Sequence, residues 1–339
     1  MLPASGTIEK SRFADCPAAN SCDAPPANPM AKTSSPSSAT DKAGLHPRNR
    51  HRLGYDFARL TKASPELAGF VKPSPAGTPS IDFANPRAVL ALNRALLLAD
   101  YGIRVWEFPE GFLCPPIPGR VDYLHVMADL LAENQPAGIP RGKGVRVLDV
   151  GVGASCIYPI LGRAEYGWSF VGTDIDPTAL AAARKIVHSN SLLHGFVELR
   201  HQTSRLQTFQ NVTQPGEQFA FSLCNPPFHA DAGDAAEGTL RKLRHLAGRT
   251  LPRDTPVVMN FGGRSSELIS QGGEIGFATR MIAQSARLPS LCGWFSCLIS
   301  KSEHLPAIES ALKSAKVIEH RTIPMAQGQK KSRIVAWRF

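Results

Sequence analysis

The stretch Asn225-Pro226-Pro227-Phe228 gathers one side-chain amide, two imino rings and one aromatic face directly after the apolar run Phe219–Leu223 and Cys224. Each proline fixes its own φ and lacks a backbone donor, so a strand must stop here and the loop beyond it is stiff. Such a loop can be only a strand terminator. It can also be a platform for a planar amine. An aromatic amine is a poor nucleophile because its lone pair is delocalised into the ring. The Asn225 side-chain oxygen and the Pro226 carbonyl offer acceptors for the two amine hydrogens, which would hold the nitrogen and aim its lone pair at an electrophilic carbon. Phe228 offers a stacking face, worth roughly 1–3 kcal/mol for a base. No strong base is required, since the proton can leave after transfer. Cys224 raises a rival, a thiol nucleophile for carbon methylation of a pyrimidine. The Pro-Cys order of that chemistry is missing, and Cys224 reads as core.

A second constellation stands in "LDVGVGASCIYPILG". It puts Asp149, Gly151 and Gly153 where a core strand ends, the place where open α/β sheets bind ligands. Glycines let a backbone approach a nucleotide-like ligand closely. A tight structural turn accounts equally well for the GxG by itself. Asp174 ends the next strand, 25 positions after Asp149, where a carboxylate can accept both hydroxyls of a ribose. No third glycine completes GxGxxG and no GK[ST] follows, which weakens dinucleotide and ATP readings. S-adenosyl-L-methionine has a ribose and no phosphate, and fits better. Asp176, followed by Pro177, reads as a helix cap rather than a ligand contact.

The elements that must position these groups follow from periodicity. From Val145, buried strand-like runs alternate with helical ones: "VRVLDVG", "SFVGTDI", "DPTALAAARKIVHSN", "FVELRH", "FAFSLC", "EIGFATRMIAQSARL", "WFSCLIS" and "LPAIESALKSA". Ile275, Ala278, Ile282 and Ser285 are expected to share the inner face of their helix. The chain ends in "KVIEHRTIPMA" and "RIVAWRF", an expected hairpin around "QGQKKS". The expectation is a Rossmann-like α/β fold with a seven-stranded, mostly parallel sheet and a C-terminal antiparallel hairpin. Upstream, Asn85 and Pro86 open a helix, and a second helix is expected over "VDYLHVMADLLAEN" after the loop "EFPEGFLCPPIPGR". Residues 1–44, rich in Ala, Ser and Pro, are expected to be a disordered tail. Residues 45–140 form an N-terminal RNA-binding or substrate region, and 141–339 the catalytic domain.

Composition bounds the rest. The 339 residues are 43% hydrophobic and 19% charged, as in a globular protein. No run approaches the ~18 apolar residues of a membrane span, and no secretory pattern opens the chain. Seven cysteines without a CxxC pair read as free thiols of a cytoplasmic protein, with neither a metal nor a disulfide framework. A net charge of +10 points weakly to a polyanionic partner.

With these motifs in order, the chain resembles the bacterial ribosomal large-subunit RNA adenine 6-amino methyltransferases, whose eukaryotic relative methylates a spliceosomal small nuclear RNA. The resemblance runs from about His46 to Phe339. It rests on "HPRNRH", "SIDFANP", "LCPPIPGR.DY.H", "DVGVGASCIYPILG", "LCNPPFH", "NFGG", "GGE" and "MAQGQKKSRIVAWRF". It implies methyl transfer from S-adenosyl-L-methionine to the exocyclic amine of one adenine, adenine 1618 of 23S rRNA, in the cytoplasm. The partner implied is large-subunit rRNA or a pre-ribosomal particle. Asn225, Pro226, Pro227 and Phe228 would be the catalytic platform. Arg120 would meet the methionine carboxylate with its planar fork. Gly151, Gly153, Ser155 and Asp174 would hold the cofactor, with Ser204 of "RHQTS" aligning loosely with a further contact. Arg48, Asn49, Arg50 and Arg52 would be an RNA-binding element beside the active-site mouth, next to the aromatics of "GYDF". Gln329, Lys330, Lys331 and Arg333 of the hairpin would add phosphate contacts. Two other classes remain open: methylation of a protein glutamine amide, and a non-catalytic RNA-binding assembly factor.

Overall fold

The computed structural model describes residues 44–133, 135–230, 264–327 and 330–339. Nearly all of the expected N-terminal tail and the "NFGG" motif lie outside them. Helix α1 (Phe57–Ala63) and the two-residue strands β1 (Lys72–Pro73) and β2 (Pro79–Ser80) lead into α2 (Pro86–Tyr101). The start of α2 is local chemistry: Asn85 accepts from the Arg87 and Ala88 amides and Pro86 occupies the first turn. Gly102, at φ 71°, ends it in the left-handed region.

Helix α3 spans Ile117–Ala132. It begins four residues before the sequence expectation, inside the Pro/Gly-rich loop. Pro118 stands in the first turn, where no amide partner is needed, so the proline opens the helix rather than delaying it. Arg120 is thereby fixed on a helix rather than on a loop.

The core sheet has the order β5-β4-β3-β6-β7-β9-β8. Strands β3 (Arg146–Val150), β4 (Ser169–Asp174), β5 (Val197–His201), β6 (Phe219–Cys224) and β7 (Cys292–Ile299) are parallel. Strand β9 (Lys330–Arg338) is antiparallel to β7 and to β8 (Glu319–Gln327). This is the expected Rossmann-like sheet, seven-stranded and mostly parallel with a C-terminal antiparallel hairpin. The hairpin strands are longer than their hydrophobic pattern, leaving only 328–329 between them.

Helices α4 (Ile157–Tyr166), α5 (Pro177–Ser189), α6 (Gly273–Ser285) and α7 (Leu305–Ser314) complete the described layers. Asp176 is the cap of α5, accepting from the Thr178 and Ala179 amides. The inner face of α6 is Glu274, Ala278, Met281, Ile282 and Ser285, while Ile275 is only half-buried. Gly162 lets α4 lie directly on β4, since a Cβ there would collide with the Phe170 ring. Residues from the upstream helices (Leu60, Leu96, Tyr123) and from the sheet (Val147, Phe221, Ile334) belong to one hydrophobic cluster.

Candidate active site

The reversal of strand order lies between β3 and its neighbours β4 and β6, and a cavity of about 480 Å³ opens at their carboxyl ends. Its volume is in the range of small-molecule sites. Arg120, Gly151, Gly153, Ser155, Asp174, Asn225 and Pro227 all line it, so four chain-distant segments of the sequence reading meet in one place.

The glycine turn is built for close approach. Gly151 has φ 77° and nothing within 4 Å of where a Cβ would stand, so the space beside its backbone is left to a ligand. The Gly151 and Val152 amides donate to the Thr173 carbonyl, and the Gly153 amide donates to Asp174 Oδ2 at 2.9 Å. Burial pushes the Asp174 carboxyl above its ordinary range, against amide donors at Asp176 and Gly153. Beneath the turn, Asp149 is fully buried and neither carboxyl oxygen has a partner among the described residues. Burial, then the neighbouring Asp174, raise its pKa well above normal.

Arg120 is buried, donates to Tyr158 Oη at 2.8 Å and leaves Nε without a partner among the described residues. An unfilled guanidinium on a cavity wall fits a carboxylate. Asn225, another lining residue, has its Oδ1 buried and without a partner among the described residues. The platform is clamped from behind. The His229 amide donates to the Leu268 carbonyl, and the Ser270 amide returns to the His229 carbonyl. Glu274 of "GGE" ties α6 to the Ser300 amide and to His304 Nδ1. Pro226 is buried and Phe228 half-buried, and neither is among the residues that line the cavity. The Cys224 thiol is buried and held well above its ordinary pKa, in keeping with a core residue.

Ser204 does not line the cavity; its hydroxyl accepts from the Leu206 amide. Its neighbours Gln202 and Arg205–Thr208 form that wall instead. Sequence reasoning also missed Tyr158 and Glu267. Tyr158 lay inside a quoted motif. Glu267 carries no local signature: its Oε2 accepts from the Leu113 and Arg264 amides, and its Oε1 lies 3.6 Å from the Cβ position of Gly153.

The basic segment is tied to the fold by ion pairs and hydrogen bonds, although Arg48 and Arg50 remain exposed. Asn49 is buried, donating to the Pro118 carbonyl and to Asp122. Arg48 pairs with Asp129 at 2.7 Å and donates to the His125 carbonyl. Arg50 pairs with Glu165, donates to the Asp100 carbonyl and lies 4.7 Å over the Tyr101 ring. Arg52 is half-buried. Asp129 and Glu165 stand near the carboxyl ends of α3 and α4, whose first turns carry Arg120 and Tyr158 of the cavity. The segment therefore packs at the carboxyl ends of these helices. Lys331 and Arg333 are placed differently. Arg333 pairs with Ile299, the last residue of β7, so Lys330 and Lys331 continue past the cavity edge of the sheet, and Lys331 is exposed. Lys330 is described in its backbone only, and Gln329 lies outside the described residues.

No group of three or more His, Cys, Asp or Glu that could hold a metal occurs among the described residues, and no described helix is long and apolar enough to cross a membrane.

A family model described as RNA methyltransferase matches residues 39–339. The chain is 54% identical over 315 residues to the ribosomal RNA large subunit methyltransferase F of Pseudomonas syringae pv. tomato, covering 93% of this chain and 95% of that protein. It is 50% identical over 322 residues to the protein of the same name from Pseudomonas fluorescens, covering 93% and 94%. The crystal structure of the hMettl16 catalytic domain in complex with MAT2A 3'UTR hairpin 6 is similar at TM-score 0.71 and 30% identity, over 87% of this chain and 97% of that one. The N-terminal domain of human METTL16 in complex with SAH is similar at 0.68 and 27%, over 87% and 98%.

Proposed function

Because the chain belongs to the RNA methyltransferase family, we propose that it transfers a methyl group from S-adenosyl-L-methionine to the exocyclic amine of one adenine in large-subunit ribosomal RNA. The observation that carries this reading is the unpartnered Asn225 Oδ1 at the cavity wall. A buried acceptor without a donor is costly, and an amine hydrogen is what it lacks.

The cavity fits the methyl donor: open space at Gly151, the free Nε of Arg120 and the Asp174 carboxyl match a nucleoside, a carboxylate and a ribose. When bound, the donor supplies an electrophilic sulfonium methyl. Asp174 would accept from the ribose hydroxyls, and Arg120 would grip the methionine carboxylate. Asn225 and the Pro226 carbonyl would accept the two amine hydrogens and hold the nitrogen lone pair in line, with the base stacked on Phe228. In this reading the Lys330–Lys331 turn contacts RNA phosphates at the cavity edge. The relatives named for large-subunit rRNA and the hMettl16–hairpin complex favour RNA over a protein amide as acceptor.

The test is to incubate the protein with methyl-labelled S-adenosylmethionine and either ribosomal RNA or total protein. Label should enter N6 of adenine in large-subunit RNA. Label in protein glutamine, or in neither, would overturn the proposal.

A further inference from the structure

The stretch Arg120–His125 sends its polar side chains in different directions. Arg120 lines the cavity, and Asp122 and His125 meet the His46–Arg48 segment. Tyr123 is fully buried behind the cavity wall, its ring edge-on to Tyr158. Its hydroxyl reaches the strand that carries Asn225. Strands β6 and β7 are in paired register only at Phe219↔Cys292 and Phe221↔Trp294, although both strands continue to Cys224 and Ile299. Above that point side chains take over. Ser296 Oγ donates to the Ser222 carbonyl at 2.7 Å, Tyr123 Oη lies 3.0 Å from Ser296 Oγ, and Tyr123 Oη is 3.4 Å from both the amide and the carbonyl of Cys224.

The protons can be ordered along this chain. The Cys224 amide donates to Tyr123 Oη, the Tyr123 hydroxyl donates to Ser296 Oγ, and Ser296 donates to the Ser222 carbonyl. Each donor is used once, and linked hydrogen bonds of this kind polarise one another. The Cys224 amide belongs to the peptide one unit before Asn225, and the carbonyl of the next peptide lies 3.4 Å from the same Tyr123 Oη, so the tyrosine holds the backbone at Cys224 just below the platform.

We propose that Tyr123 is a positioning residue for Asn225: joined to Ser296 at the ends of β6 and β7, its hydroxyl fixes the backbone at Cys224 and thereby aims Asn225 Oδ1 into the cavity. This rests on the reading of Asn225 as the amine acceptor. Small misplacements of a reacting group cost up to ~10²-fold in rate, so the effect belongs in the rate at saturation and not in binding.

The test compares Tyr123→Phe, Ser296→Ala and Asn225→Ala with Tyr166→Phe. The Tyr166 hydroxyl is also buried and serves His125, away from the cavity. Single-turnover rates at saturating RNA and S-adenosylmethionine, calorimetric affinity for S-adenosylhomocysteine and Tm are read for each. Tyr123→Phe should lose about 10- to 100-fold in rate with affinity within about twofold. Ser296→Ala should fall in the same sense, and it carries the test if Tyr123→Phe does not fold. Tyr166→Phe should lose Tm but keep its rate. Wild-type rates in Tyr123→Phe and Ser296→Ala, or equal losses in Tyr123→Phe and Tyr166→Phe, overturn the inference while an inactive Asn225→Ala leaves the site reading standing. A fully active Asn225→Ala overturns both.

Discussion

At the scale of single residues the site divides into groups that face the amine and groups that face the donor. Asn225→Ala should reduce methyl transfer by ~10²–10³, with the affinity for S-adenosylhomocysteine nearly unchanged. Rate at saturating substrates and calorimetry check the two halves. Asp174 should give a pH signature. Burial raises its folded pKa, so the free protein binds more protons than the unfolded chain between the unfolded value and the raised one. Its contribution to stability is therefore greatest at low pH and is lost as pH rises through that window. Ribose hydroxyls need the ionised carboxylate, so cofactor affinity should rise with pH over the same window and binding should release protons. Calorimetry in two buffers of different ionisation heat measures that release. Asp174→Asn should bind weakly and without this pH dependence.

At the scale of elements, two basic segments that look alike as strings have different settings. Arg50 neutralises Glu165, a largely buried carboxylate whose pKa burial already raises. Arg50→Ala should cost up to about 1 kcal/mol, since the Arg50 side chain is 40% exposed and solvent screens the pair, read as a lower denaturation midpoint with the cofactor affinity of the folded protein unchanged. The hairpin carries the opposite expectation. Lys330→Ala with Lys331→Ala should leave Tm within error. The log–log salt slope of RNA binding should become shallower by roughly 0.7–0.9 for each lost phosphate contact. RNA titrations at several salt concentrations decide it, and an unchanged slope would move the RNA off the hairpin.

At the scale of the whole molecule, the upstream helices and the sheet share one hydrophobic cluster, and α3 meets both the His46–Arg48 segment and the cavity. Unfolding of the described fold should therefore be one cooperative transition, with no earlier melting of the upstream helices. S-adenosylhomocysteine at about a hundredfold its Kd should shift it by ~2.7 kcal/mol. Calorimetry with and without ligand shows whether one peak moves or two separate.

The sequence by itself determined the local pieces, because their causes are local. Asn85-Pro86 and Asp176-Pro177 start helices through their own caps, and the prolines of Asn225–Phe228 end a strand wherever that strand lies. The alternation of buried strands and helices was enough for the sheet class. The glycine turn, Asp174 and the platform could then be assigned to one edge, since parallel strands put all their carboxyl ends together. Only the tertiary structure decided what faces what. Arg48, Asn49 and Arg50 look like a solvent-facing basic run. Their partners Asp122, Asp129 and Glu165 lie 73 to 115 positions away, and nothing in the local pattern announces them. Glu267 reaches the glycine turn, and Tyr123 reaches Cys224, only because the chain folds back across the sheet. A charge reads as free until its partner is known, and a long-range contact leaves no period in the sequence.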